Sequence, residues 1–372
     1  MGRFVSLESY AHDNPTLVRF INSGIEQTIY SEPRLALSDK SVIRQVDSVN
    51  TFVAIIKDAC CFAYSDLIML SDKTYYCELK EDPLIGNSFD CSDGYVLMAD
   101  EKSYYSVAIP EKEKKLDSGI FLSGLYSWNY YHFTFQVLPK LQMVGTIDSV
   151  IPLLVDKKVK EIPSFAALLT VCNKQSRPVV VMEERVSYCV NNLYYVSAQT
   201  YLESNHKKGT PYIEVRCRYL PSALRFLRET MIPVAQHEEY PKRVFIGRKY
   251  VTSGRRHFNE DACMACAKEF GFEIVFPEFL TLEQQIGLFN NAEMIIGGSG
   301  AAFTNLIYCK KGVKVIVLSK YRIGFWQTIV DFIGGDLLYV CETNKVNHNP
   351  KKVHDSFSID VEKLRRVIDE MQ

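Results

Sequence analysis

RVFIGR at 243–248 and EMIIGGSGAAFTN at 293–305 decide how this chain is read. Each opens on a short apolar, β-branched run of the kind that forms a buried strand. The first run breaks into a basic loop with Arg248, Lys249, Arg255 and Arg256; the second breaks into glycines that lead into a helix. Working outward, the pattern predicts a helix from Asn259 to Gly271, strand 272–276, helix 281–291, strand 293–297, helix 301–309, strand 313–318, helix 324–333 and strand 337–340. Strands alternating with helices imply a parallel sheet, here a Rossmann-like βαβ unit. A last helix near 359–371 is expected to open on Ser358 or Asp360 as its cap.

The same alternation starts at Gly119. An apolar strand, GIFLSGLY, leads to a helix-like segment, WNYYHFTFQVLPKLQMV, then a strand near 150–155, a helix near 163–172 and a strand near 178–182. Residues 183–240 hold a strand pair and a helix near 221–230. Before Gly119 the signal is different. Residues 51–80 alternate short apolar runs with Lys-Asp and Ser-Asp turns, as in a β-meander, and 83–116 read as a surface loop ending in the charged EKEKK. The expected organisation is therefore α/β: a β-rich part at 1–118, a Rossmann-like domain at 119–240, a second Rossmann-like domain at 241–345, and a C-terminal tail and helix at 346–372.

Composition narrows the function. The chain has 372 residues, 47% apolar and 23% charged, with net charge −1. That is enough for two cored domains, and it lacks the basic field of a nucleic-acid binder. The N-terminal MGRFVSLESYAHDNP carries no signal-peptide stretch, and no run approaches the ~20 apolar residues of a membrane span. The 11 cysteines are scattered, and Cys263 and Cys266 form a lone C-x-x-C on a helical pattern. Without a second ligand pair they read as a buried reduced pair, not a zinc site. Reduced thiols point to the cytoplasm. Lys157, Lys158 and Lys160 are either a solvated face or, for a lipid-linked acceptor, a peripheral contact with the inner face of a membrane.

Ligands of open parallel sheets bind outside the carboxyl ends of the strands. Arg248 and Arg256 follow one such end, and Gly298-Ser299-Gly300-Ala301 follows another at a helix start. Guanidinium groups, backbone N–H groups and a helix N-terminus together suit a diphosphate. The same residues also fit a basic surface loop beside a tight turn. A dinucleotide site would want an acid about 20 positions beyond its glycines, but that strand ends Val317-Leu318-Ser319-Lys320. No Asp-x-Asp pair is present to hold a cation on the diphosphate, so neither a metal nor another cofactor is expected. On the first-domain helix, Asn129, His132, Gln136 and Lys140 are spaced three or four apart and share one face, opposite Tyr131, Phe135 and Leu138. His132 there is either a general base or a structural histidine bonded to backbone or to Asn129. Pro139 is expected to kink the helix.

These motifs resemble glycosyltransferase family 61. N-Y-Y-H-F at 129–133 is similar to its N-Y/F-Y/F-H-W/F motif, and the likeness continues through Leu138-Pro139-Lys140-Leu141. Arg248, Arg255-Arg256 and Asn259-Glu260 follow the family order, as do Gly271-Phe272-Glu273-Ile274-Val275, Pro277-Glu278, Gln285-Ile286, Leu288-Phe289, Ala292 and GGSGAAFTN at 297–305. The family loop usually reads G-P-H-G-A; Ser299 stands in place of its histidine. A hydroxyl can donate to phosphate but carries no charge. The resemblance implies a GT-B fold of two Rossmann-like domains, inverting chemistry and a nucleotide-sugar donor, most often UDP-linked. Bacterial relatives work in capsule or other surface-polysaccharide assembly, whereas eukaryotic ones act behind an anchor or signal that this chain is expected to lack.

Strand ends and resemblance together give the expected site. Arg248, Arg256, Asn259, Gly298, Ser299, Gly300, Ala301 and Asn305 hold the donor. His132 is the catalytic base, and Asn129 and Gln136 lie on the side of a glycan or lipid-linked glycan acceptor. A catalytically silent nucleotide-sugar-binding module, or a GT-B epimerase, are the alternatives.

Overall fold

The computed structural model describes residues 2–34, 42–78, 94–99, 104–202, 217–248, 257–322, 324–342 and 356–372. The fold is mixed α/β. The chain divides into two units, one built from 1–28, 47–210 and 218–226, the other from 29–46, 211–217 and 227–372.

In the second unit, strands Arg243–Ile246, Glu273–Val275, Met294–Gly298, Lys314–Ser319 and Asp336–Cys341 form a parallel five-stranded sheet. Glu273–Val275 lies on one side of Arg243–Ile246 and Met294–Gly298 on the other; the remaining two follow in chain order. The direction of winding thus reverses between the first and third strands, which opens a crevice at their carboxyl ends. The helices between them begin where the sequence supplies caps. Thr281 Oγ1 accepts from Gln284 N, and Gln284 Oε1 accepts from Thr281 N, a capping box that starts Leu282–Asn291. Asp360 accepts from Lys363 N and starts Val361–Met371. Leu364, Ile368 and Met371 of that last helix join Cys263, Cys266 and Phe272 in one apolar cluster. The C-x-x-C is therefore core packing, with both thiols buried.

The first unit has a mixed sheet. Lys112–Leu122 runs parallel to Leu153–Asp156 on one side and to Val186–Val196 on the other, with Val179–Met182 beyond Leu153–Asp156. Val186–Val196 then pairs antiparallel with Arg44–Phe62. Two loop readings need correction. EKEKK is the exposed start of strand Lys112–Leu122, because ladder pairing with Val186–Val190 needs backbone groups and not apolar side chains. The Lys57-Asp58 turn is absorbed within the single strand Arg44–Phe62, where Asp58 takes φ 52°. The meander survives as Cys60–Cys61 against Ile68–Met69, and Ile68–Met69 against Tyr75–Tyr76.

The reading of the cysteines as reduced also changes. Cys60 and Cys189 stand opposite each other on antiparallel strands, their Cα atoms 4.0 Å apart, and form a disulfide. Eight described cysteines remain thiols. Strand register made the pair, and register between residues 129 positions apart is not visible in spacing. No helix of the described residues is long and apolar enough to cross a membrane.

The expected helix at 128–144 is three pieces: one α turn at Tyr130–His132, a π-helical turn at Phe133–Val137 and a 3-10 helix at Leu138–Met143. Pro139 has no N–H to offer the carbonyl of Phe135 four residues back. Thr200 Oγ1 donates to that carbonyl instead, at 2.7 Å. Thr200 is buried, so Thr200→Val, a near-isosteric change, should leave the carbonyl unpaired. The expected loss is about 1–3 kcal/mol in urea unfolding with an unchanged m-value; a loss below about 0.5 kcal/mol would show the bond to be dispensable.

Candidate functional site

The acceptor-side residues sit on a turn that is pinned from below. Asp156, at the carboxyl end of strand Leu153–Asp156 and 1% exposed, accepts from Ser123 Oγ at 2.8 Å, Ser127 Oγ at 2.5 Å and Tyr64 N at 2.8 Å. Burial pushes its carboxyl up to about 6 despite those donors. Above it the chain turns through Ser127 N to Gly124 O and Asn129 N to Tyr126 O. Asn129 Oδ1 then accepts from Tyr131 N and caps the α turn that carries His132.

His132 is half-buried, and its Nδ1 lies 2.6 Å from Gln136 Oε1. An amide oxygen can only accept, so Nδ1 carries the proton and Nε2 keeps its lone pair. Burial pushes the imidazole down to about 4, opposed by the Gln136 bond, so the ring is neutral near pH 7. The rings of Tyr126 and Tyr131 flank it at 5.2 and 5.3 Å. The neutral ring has a fixed tautomer, and its hydrogen-bond partner is Gln136, not Asn129.

Lys140, the fourth member of the polar stripe, is 5% exposed. Its Nζ reaches Ser123 O at 3.4 Å and stands 5.9 and 5.8 Å from the rings of Phe121 and Tyr195. With Gln136, Asp66 and Glu78 it borders a pocket of about 20 Å³, room for a water. Glu78 accepts from Tyr195 Oη at 2.9 Å and Ala198 N at 2.7 Å, and burial pushes it up to about 7. Burial likewise raises Asp66 and lowers Lys140, whose charge the carboxylates of Asp66, Glu78 and Asp156 favour. The sequence reading missed Asp66 and Glu78, since no spacing links them to position 140.

On the donor side the sheet reversal brings two predicted groups together. Arg248 follows Ile246 of the first strand, and its Nη1 donates to Ser299 O at 3.0 Å. Its backbone N donates to Glu260 Oε1 at 2.7 Å, which holds the strand end against the start of helix Glu260–Glu269. A Cβ on Gly300 would stand 3.2 Å from Arg248 Cζ, and one on Gly298 would stand 3.0 Å from Phe258 Cε1 and 3.4 Å from Arg248 Cδ. A side chain at 300 would therefore press on the guanidinium, while one at 298 would press on Phe258 and only touch Arg248. Ala301 opens the 3-10 helix Ala301–Tyr308 beside it, and the first N–H groups of a helix have no intrahelical acceptor.

Ser299 is 4% exposed, and its Oγ accepts from Trp326 Nε1 at 3.1 Å. Asn305 is fully buried and donates to Gln285 Oε1 at 2.8 Å. That bond joins helix Leu282–Asn291 to the 3-10 helix Ala301–Tyr308 in the interior. Asn259 is engaged at both ends by Ile359, Nδ2 to its O at 2.9 Å and Oδ1 from its N at 2.8 Å; it anchors the C-terminal segment. Arg256, with Lys249 and Arg255, lies outside the described residues. Glu260 and Trp326 were not foreseen in these roles, although Glu260 was legible as an acid in the first turn of its helix.

The Asp156 carboxyl gives a pH test. Its folded value of about 6 exceeds its ordinary 3.8, so the folded protein binds more protons between those limits and stability from this group falls as pH rises through them. Relative to Asp156→Asn, the wild type should lose up to roughly 3 kcal/mol between pH 4 and 7. Parallel pH–stability curves for the two proteins in denaturant titrations would exclude the raised value.

A family model described as Glycosyltransferase 61 matches residues 130–316, half of the 372-residue chain. The match begins at the α turn bearing His132, takes in Arg248 and the glycine loop, and ends in strand Lys314–Ser319. No curated protein matches the chain. The motifs and the matched span agree, and the chain belongs to the glycosyltransferase 61 family.

Proposed function

We propose that this chain is an inverting, metal-independent glycosyltransferase of GT-B type. It moves a sugar from a nucleotide-sugar, UDP-linked as is most common in the family, to a hydroxyl of a glycan or lipid-linked glycan. Family membership makes the chain a glycosyltransferase; donor, acceptor and stereochemistry are this reading's own. The observation that carries it is Arg248 drawn over Ser299 and Gly300 at the sheet reversal, where a diphosphate meets a cation and a helix start together.

In this mechanism the donor diphosphate lies against Arg248, Arg256 and the N–H groups of Gly300 and Ala301. The acceptor hydroxyl attacks the anomeric carbon while Nε2 of His132 takes its proton. The bond from that carbon to the phosphate oxygen breaks, and the nucleoside diphosphate leaves with inversion. Its charge rises in the transition state, so fixed guanidinium and amide dipoles stabilise that state most. The biological setting we propose is surface-polysaccharide synthesis such as capsule, in the cytoplasm or at the inner face of the membrane. The eight thiols favour that compartment and the Cys60–Cys189 disulfide counts against it.

One observation favours a silent binding module: the Ser299 hydroxyl, standing where the family has histidine, is buried and occupied by Trp326. Acceptor-dependent release of nucleotide distinguishes the two. A transferase releases UDP only when acceptor is added; a binding module never does.

His132→Ala should lower kcat by about 10²–10⁴-fold with nucleotide affinity retained; an unchanged kcat would remove His132 from the role. The acid limb of kcat/KM should fall near pH 4 in the wild type, following the depressed imidazole, and a limb near 6.5 assigned to His132 by its loss in the variant would contradict the buried setting. Arg248→Ala should weaken UDP binding by roughly 10- to 100-fold, as expected for loss of a charge-assisted bond, measured by calorimetry or by thermal shift. Equal affinities would end the clamp assignment.

A further inference from the structure

Trp128 is 47% exposed, yet it is not loosely held. It stands directly before Asn129, whose side chain caps the turn of His132. The Tyr126 ring meets it edge-on with centroids 6.2 Å apart, and the same Tyr126 ring lies 5.2 Å from the imidazole of His132. Trp128, Tyr126 and His132 thus form one run of rings that ends at the base. Tyr126 takes φ 64°, in the left-handed region that bulky residues avoid. Bonds on both sides keep it there: Asn129 N to Tyr126 O at 2.8 Å, Ser127 N to Gly124 O at 3.1 Å, and Ser127 Oγ to Asp156 at 2.5 Å. A strained aromatic held beside a catalytic group marks a place where the fold presents a surface to a ligand.

We propose that Trp128 and Tyr126 are the acceptor subsite, on which a sugar ring of the glycan acceptor stacks with one hydroxyl directed to His132. This rests on the transferase reading above. The chemistry selects a sugar. One face of a pyranose presents C–H groups whose partial positive charge meets the negative face of an indole, while its hydroxyls project outward from the ring, where an imidazole nitrogen and a phenol can bond them. The donor diphosphate is a poor fit here, since none of the three rings carries a positive charge near pH 7. A lipid surface is also a poor fit, since Trp128 is flanked in sequence by the polar Ser127 and Asn129.

The chain contains two tryptophans, and the other, Trp326, is 4% exposed. Quenching of fluorescence by iodide therefore reads Trp128 in the full-length protein. The probes are the methyl glycosides of glucose, galactose, rhamnose and N-acetylglucosamine, with phosphatidylglycerol vesicles as the lipid arm. At least one glycoside should protect against iodide, and Trp128→Phe should abolish the iodide-sensitive signal. With that glycoside as acceptor, Trp128→Ala should raise acceptor KM roughly 3- to 10-fold with donor KM unchanged, and Trp128→Tyr should recover most of the loss. His132→Ala should keep the protection while losing turnover, which separates the subsite from the base, and UDP affinity in Arg248→Ala tests the donor half independently of both. Protection by vesicles alone, protection by none of the glycosides, or an unchanged acceptor KM in Trp128→Ala would each overturn the subsite.

Discussion

The guanidinium of Arg248 rests against the backbone at Ser299, beside residues 298 and 300 that have no Cβ to press on it. The proposed donor side is built on that contact. A parallel sheet that reverses its winding always leaves a crevice at its carboxyl edge, but the crevice is a neutral groove until something charged enters it. Here the first strand delivers the cation and the third delivers the space. Glu260 fixes the strand end by accepting from the Arg248 backbone, so the side chain starts from a held position. An added methyl at residue 300 would crowd the cation, which would have to give way by a few tenths of an ångström.

The proposed acceptor side has to meet a different requirement, an imidazole that is neutral and correctly oriented. Burial keeps His132 unprotonated, and the amide of Gln136 sets its tautomer without adding charge. A carboxylate at 136 would orient the ring equally well but would raise its affinity for a proton. Gln136 lies within the π-helical turn Phe133–Val137 that starts directly after His132, so local departure from α geometry is part of how imidazole and partner meet. That departure is stabilised where Pro139 would otherwise orphan a carbonyl, through Thr200. Asp156 contributes in the same sense, holding the two serines whose turn leads into the helix.

What the residues disclosed in advance depended on how local the determining physics was. The five parallel strands, the helix expected at 281–291 and the cap at Asp360 follow from periodicity and short-range hydrogen bonding, and the observed elements lie within a few residues of the expected ones. That Arg248 and the glycine loop meet was legible because both follow strand ends on one edge of such a sheet. Motif order names Asn259 and Asn305 but not their partners within the chain, the Ile359 backbone and the Gln285 amide. The Cys60–Cys189 pair depends on register between strands far apart in sequence. EKEKK was lost to composition, since backbone pairing can hold a charged strand that its side chains do not recommend.

The half-buried Asp66 and Glu78 and the buried Lys140 show the same limit from the side of electrostatics. Each would be expected at the surface, yet they share a pocket with Gln136, and each is shifted toward its neutral form by burial. Paired charges in such a place add little net stability over apolar residues, while removal of one partner leaves the others uncompensated. Their influence on the base is indirect. Burial and the Gln136 bond account for the shift of His132, so the cluster does not set the imidazole's charge through space. Its route to the base is the position of Gln136, which lines the pocket and bonds His132 Nδ1. Protonation of Glu78 near neutral pH would change what Gln136 faces without placing a charge on the ring, and so would act on the orientation of the base more than on its basicity.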